Sequence, residues 1–127
     1  MSVFEQFENG KLYLSGREID HTSIAWSLHA KFEGVALKHL ITAKDTNGAF
    51  SYHLVKIEPQ KKIGLHVHET QLETHEVIAG RGVCRTVHGE LTYEAGRLAV
   101  LPAGNEHEVI AFEDGLYLFA KFFPALC

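Results

Sequence analysis

From residue 49 onward the chain alternates apolar and polar side chains in short runs, each closed by a residue that interrupts regular structure. The runs are FSYHLVKI, KKIGLHVH, THEVIAG, GVCRTV, ELTYEAG, LAVLPAG, EHEVIAF and LYLFAKFF, with Gly, Pro, Asn or Asp between them. A period of two buries one face of a strand and solvates the other, which a helix cannot do. Runs this short, with turn signals at VHGE, EAGR and EDGL, predict an antiparallel sandwich or barrel rather than a parallel sheet with crossover helices. The N-terminal part reads differently: IDHTSIAWSLHAKFEGVALKHL, residues 19–40, mixes periodicities and predicts a short turn of helix before a strand. The expectation is one all-β domain over 1–127. Its core barrel spans 46–127, for which a jelly roll is one solution, and 1–45 is a short irregular or partly helical segment with some strand.

A chain of 127 residues with 46% hydrophobic side chains can bury about two thirds of its unfolded surface without a disulfide framework. Cys84 and Cys127 are its only cysteines and are expected to stay reduced. No apolar run is long enough to cross a bilayer. The net charge of −4 and the lack of a basic cluster larger than QKK argue against nucleic acid as a partner. MSVFEQFENG lacks the basic head and apolar run of a secretion signal, so a cytoplasmic location is expected. A small molecule is the partner this composition favours. LYLFAKFFPALC is more apolar than a solvated edge strand tolerates and predicts a cover, either a second copy in a homodimer or the N-terminal segment.

The densest chemistry lies in GLHVHETQLETHEVIAG, residues 64–80, with three histidines and three glutamates. On a strand His66 and His68 share a face while Leu65 and Val67 take the other, so both imidazoles can converge on one ion. Taken alone, an HxH pair on a strand is more often a polar face than a metal site. Glu73 opens the next strand and His107 opens HEVIAF, and the four groups meet if these strands curl round one barrel mouth.

Residues 66–80 read H-x-H-x4-E-x6-G, and residues 96–107, GRLAVLPAGNEH, read G-x5-P-x-G-x2-H. These resemble the two cupin motifs, in order, with 15 residues between Gly80 and Gly96. The resemblance implies a jelly-roll barrel in which His66, His68, Glu73 and His107 hold one divalent metal. Fe, Mn, Ni, Cu and Zn all suit such a donor set. Glu76, Arg97 and Ala111 depart from residues common in the motifs; none is a ligand position, so they bear on substrate rather than on metal.

Among the neighbours, Glu76 has the opposite parity to Glu73 and is expected to face out, while Glu69 and Gln71 fall in the turn. His75 shares the parity of Glu73, and His53 shares a face with Val55 and Ile57. Both are candidates for a catalytic acid or base, against the plainer reading of satisfied or rim histidines. Cys84 is expected to line the barrel as a small apolar residue, and Tyr52, Tyr93 and Phe119 to fill core. Cupins include dioxygenases, isomerases, lyases and decarboxylases. The first expectation is a metal-dependent enzyme on a small oxygen-bearing molecule, dioxygenase-like; an isomerase or lyase and a non-catalytic binder are the alternatives.

Overall fold

A computed structural model describes residues 1–127. The elements, in chain order, are α1 (Val3–Glu8), β1 (Lys11–Leu14), β2 (Arg17–Asp20), a 3-10 turn at His21–Ser23, β3 (Ser27–Leu28), β4 (Val35–Ile41), α2 (Ala43–Thr46), β5 (Ser51–Ile57), β6 (Lys62–His66), β7 (Leu72–Thr86), β8 (Gly89–Glu94), β9 (Leu98–Leu101) and β10 (His107–Phe123). The all-β architecture expected from alternation is found, and with it the jelly-roll barrel that the cupin resemblance implies.

Two long strands organise it. Leu72–Gly80 of β7 pairs with Leu116–Phe123 of β10, and Gly82–Thr86 pairs with His107–Ala111. The first half of this ribbon is flanked by β5 and β9, the second by β6 and β8. A straight strand from Glu73 to Thr86 would run about 43 Å. Yet His107, paired with Thr86, brings its Nε2 within 3.1 Å of Glu73 Oε1. The ribbon therefore doubles back, and its two ends face each other across the barrel mouth. Gly80, at φ +80°, lies at the bend, where a Cβ would sit 2.1 Å from the Gly115 carbonyl oxygen. Only glycine tolerates both the conformation and the approach.

This bend corrects one expectation. EDGL does not turn the chain: β10 runs through it with a register shift between Ala111 and Leu116. EHEVIAF and LYLFAKFF are thus one strand, and THEVIAG and GVCRTV are likewise one. A glycine at positive φ allows a bulge that reaims the strand without ending its pairing. The sheet also starts earlier than residue 46. β3 lies within 19–40 and β4 begins there, and the two extend the sheet beyond β5; the 3-10 turn His21–Ser23 before them is the only helix in that stretch.

The inward faces of β5 and β10 supply Val55, Ile57, Leu116, Leu118, Ala120 and Phe122 to the barrel core, together with Cys84 and Tyr93. Each such aliphatic side chain contributes roughly 1.5–3 kcal/mol by leaving water. The outward faces supply Leu54 and Phe119, which pack with Leu40 under Phe4 of α1. Ser2 caps that helix in a reciprocal pair with Glu5, at 3.0 and 3.1 Å. Phe4 meets Tyr117 and Phe7 meets Phe119, each with ring centroids 5.0 Å apart. The apolar outer face of β10 is therefore covered by the chain's own N-terminal segment. Tyr52 and Phe119 belong to this outer layer, and Tyr93 alone of the three aromatics expected in the core reaches the inside.

Candidate metal centre

Strand register brings the donors together. β6 pairs with β10 so that His66 lies opposite His107, with ring centroids 4.3 Å apart. β6 ends at His66, so His68 stands just past the strand rather than on it. It is held nonetheless: the Gly104 N–H donates to the His68 carbonyl at 2.8 Å, and the His66 and His68 rings lie 5.0 Å apart. Glu73 enters from the other end of the bent ribbon. One donor atom from each of His66, His68, Glu73 and His107 lies within 4.8 Å of the others.

Backbone carbonyls set the ring orientations. His66 Nδ1 lies 2.7 Å from the Gly64 oxygen and His107 Nδ1 lies 3.3 Å from the Asn105 oxygen. A carbonyl only accepts, so each Nδ1–H donates, and Nε2 carries the lone pair in the neutral ring. For His107 that lone pair faces Glu73 Oε1 at 3.1 Å; both atoms are buried and neither has a hydrogen-bond partner. Two acceptors at this distance repel unless a proton or a metal ion lies between them. The donor set and these two orphaned atoms fit a first-row divalent metal.

The electrostatics favour the ligand form at Glu73, His66 and His68, and the protonated form at His107 while no ion is present. Burial pushes the Glu73 carboxyl up, but His75 and His107 against its two oxygens outweigh that and hold it well below the usual carboxylate range. Burial lowers His66 and His68, which favours their neutral, lone-pair form. Burial also pulls His107 down, yet the adjacent Glu73 carboxylate outweighs it and the net shift is upward.

Behind Glu73 runs a buried relay. His75 Nε2 lies 2.8 Å from Glu73 Oε2, and His75 Nδ1 lies 2.7 Å from the Tyr93 hydroxyl. The carboxylate accepts, so Nε2–H donates; in the neutral ring Nδ1 then accepts the Tyr93 O–H. Burial raises the Tyr93 phenol, keeping that proton in place. His75 thus faces inward as its parity predicted, but both of its nitrogens are engaged. Tyr93 is the member that sequence reading took for core filling. Its register partner is Gly82, and nothing in its own run marks the hydroxyl as different.

His53 also faces inward and is fully buried, but Phe122 stands between it and the four donors, with ring centroids 5.6 Å to His53 and 5.0 Å to His68. Burial, reinforced by His39, lowers His53 to about 4. Glu76 faces out and pairs with Lys121. Glu69 is exposed and Gln71 half-buried between β6 and β7, while Cys84 is fully buried in the core. On the open side, half-buried Phe32 packs near His66 at 6.2 Å between centroids, while Phe122 backs the donor cluster from the core.

With this geometry in view, the family model for the cupin domain matches residues 53–117, just over half of the chain. The chain belongs to the cupin family. No curated protein matches the sequence. Several solved cupin-like structures resemble the fold. A predicted oxalate decarboxylase from Thermotoga maritima superposes with a TM-score of 0.72 at 22% identity, covering 81% of this chain and 95% of that one. A polyketide cyclase from Streptomyces resistomycificus gives 0.73 at 15% identity, covering 85% and 78%. A sugar phosphate isomerase of the cupin superfamily from Silicibacter pomeroyi gives 0.69 at 22% identity, covering 84% and 75%. At these identities the likeness concerns the fold. No helix of this cupin is long and apolar enough to cross a membrane.

Proposed function

We propose that His66, His68, Glu73 and His107 hold one divalent transition metal and that this cupin is a metal-dependent enzyme acting on a small oxygen-bearing molecule. The observation that carries the reading is the pair of buried, unpartnered acceptors, Glu73 Oε1 and His107 Nε2, aimed at one point. When bound, such an ion supplies Lewis acidity and, if it is Fe, Mn, Ni or Cu, redox capacity. The protein's own part is orientation. Gly64 and Asn105 fix two rings, the His75–Tyr93 relay fixes the carboxylate, Phe32 lies beside the half-buried His66 on the open side, and Phe122 closes the site from the core.

A dioxygenase-like reaction is the first reading. His75 spends both nitrogens on Glu73 and Tyr93, and His53 lies behind Phe122. An isomerase or lyase that moves a proton between substrate atoms needs an acid or base within reach, and neither histidine offers one. A metal-dependent isomerase or lyase is the second reading, favoured by the decarboxylase, cyclase and isomerase among the similar structures.

The test is elemental analysis of protein purified without tag or chelator, beside Glu73→Gln and His66→Ala/His68→Ala variants. Near-stoichiometric metal in the parent and its loss in both variants is expected. Fe, Mn, Ni or Cu then directs the search to oxygen consumption, and Zn to proton-transfer or lyase chemistry. A parent protein that holds no metal and takes none up on titration refutes the assignment.

A further inference from the structure

A second group of metal-type donors lies outside the cupin site. β4 and β5 pair so that His39 stands directly opposite His53, and their Nδ1 atoms are 2.7 Å apart. Cys127 Sγ lies 3.8 Å from His39 Nδ1. The donor atoms of His39, His53 and Cys127 all fall within 4.8 Å of one another. None of the three touches the donors of the first centre, from which Phe122 separates His53.

The thiol is placed there by a laid-down segment, not by a loose tail. The Ala125 N–H donates to the Gly48 carbonyl at 3.1 Å, the Leu126 N–H to Ser51 Oγ at 2.8 Å, and the Ala43 N–H to the Cys127 carbonyl at 2.6 Å. Ser51 Oγ also lies 2.8 Å from His53 Nε2, on the far side of the buried ring. His53 therefore has a fixed orientation with Nδ1 aimed at His39 and Cys127. His39 is half-buried and Cys127 exposed, so the cluster is reached from solvent on one side.

We propose that His39, His53 and Cys127 form a second metal-ion site, suited to zinc or cuprous copper, one phenyl ring away from the cupin centre. A thiolate with two imidazoles is a soft-to-borderline donor set, unlike the three nitrogens and one oxygen of the first centre. Tetrahedral zinc with ordinary bond lengths places a sulfur and a nitrogen about 3.6 Å apart and two nitrogens about 3.3 Å apart. The Cys127–His39 separation is already close to that value, and the histidine pair needs to open by about 0.6 Å. Binding a divalent ion moves the proton shared between the two Nδ1 atoms onto a ring Nε2. On His53 the proton stays on Nε2 and is donated to Ser51 Oγ, whose second lone pair is free because Leu126 N–H occupies only one. Binding also releases the Cys127 thiol proton to solvent, so one proton leaves per ion. Three protein donors would leave a fourth position for water, which can reach the cluster past exposed Cys127.

Cobalt(II) tests this, because only the second site offers sulfur. In the full chain, titration is expected to fill about two equivalents and to raise a near-ultraviolet thiolate-to-cobalt charge-transfer band. Cys127→Ser should abolish the band and leave one equivalent bound. His66→Ala/His68→Ala should keep the band and lose the other equivalent, and Glu73→Gln serves the same purpose if the double variant does not fold. Absence of the band in the parent overturns the proposal. So does a band that persists in Cys127→Ser, which would assign the sulfur to Cys84.

Discussion

Tyr93→Phe removes a single oxygen from a place water cannot enter: Tyr93 is 0% exposed and His75 2%. The lost hydroxyl is the donor to His75 Nδ1, so the variant leaves one buried acceptor without a partner while the ring volume stays nearly the same. Leaving such a group unsatisfied costs about 1–3 kcal/mol. The metal-free protein should lose that amount in urea unfolding followed by circular dichroism, at unchanged slope, so the midpoint falls by roughly 1 M. A second readout follows from the tautomer. Without the tyrosine, His75 is no longer confined to the form that donates from Nε2 to Glu73. Zinc affinity should then fall about 10–100-fold, the range seen for partners that orient metal ligands. A stability loss below about 0.5 kcal/mol would refute the buried relay. An intact relay in which affinity does not move would show that it supports the fold and does not aim the carboxylate.

Two further outcomes are expected. His53 is held at about 4 against an ordinary 6.5, so between these values the unfolded chain binds its proton more readily than the folded one. The neutral-ring contribution is complete above pH 6.5 and is lost as pH falls through the window, about 3 kcal/mol in all. In metal-free protein, His53→Gln should flatten that acid limb in a pH series of urea midpoints, and an unchanged limb would assign it to other groups. Gly80→Ala places a Cβ 2.1 Å from the Gly115 oxygen at φ +80°. It should destabilise by about 3 kcal/mol or more in thermal unfolding, and a near-neutral result would mean the bend relaxes freely.

Alternation made the barrel legible; parity put Glu73 and Glu76 on opposite faces, and the spacing to Gly80 chose Glu73, which is buried, over Glu76, which faces out to Lys121. The inward placing of His75, His53 and Cys84 followed from the same rule. Motif spacing, not alternation, joined His107 to His66 and His68. What stayed hidden depends on register between distant strands. Tyr93 meets His75, and His39 meets His53, only because particular residues fall opposite each other across a ladder. The fusion of EHEVIAF with LYLFAKFF was hidden for another reason: glycine beside acidic residues signals a turn and a bulge equally well. The strand expected after a turn of helix in 19–40 is found as β3 and β4; its mixed periodicity arises because β4 serves two layers, with Val35 in the barrel and Leu40 under α1.

The doubled-back ribbon works as a lever. From the bend at Gly80 to Glu73 the strand runs about 23 Å. A rotation of only about 5° at that pivot would therefore swing the carboxylate by about 2 Å, ten times the spread of about 0.2 Å that separates a good metal–ligand bond from a poor one. If the proposed ion is held at the barrel mouth, the grip on it depends on stiffness at the closed end, where a Cβ on Gly80 would meet the Gly115 oxygen. A change of residue there can loosen or tighten the mouth, and so shift which ion fits, without altering any donor.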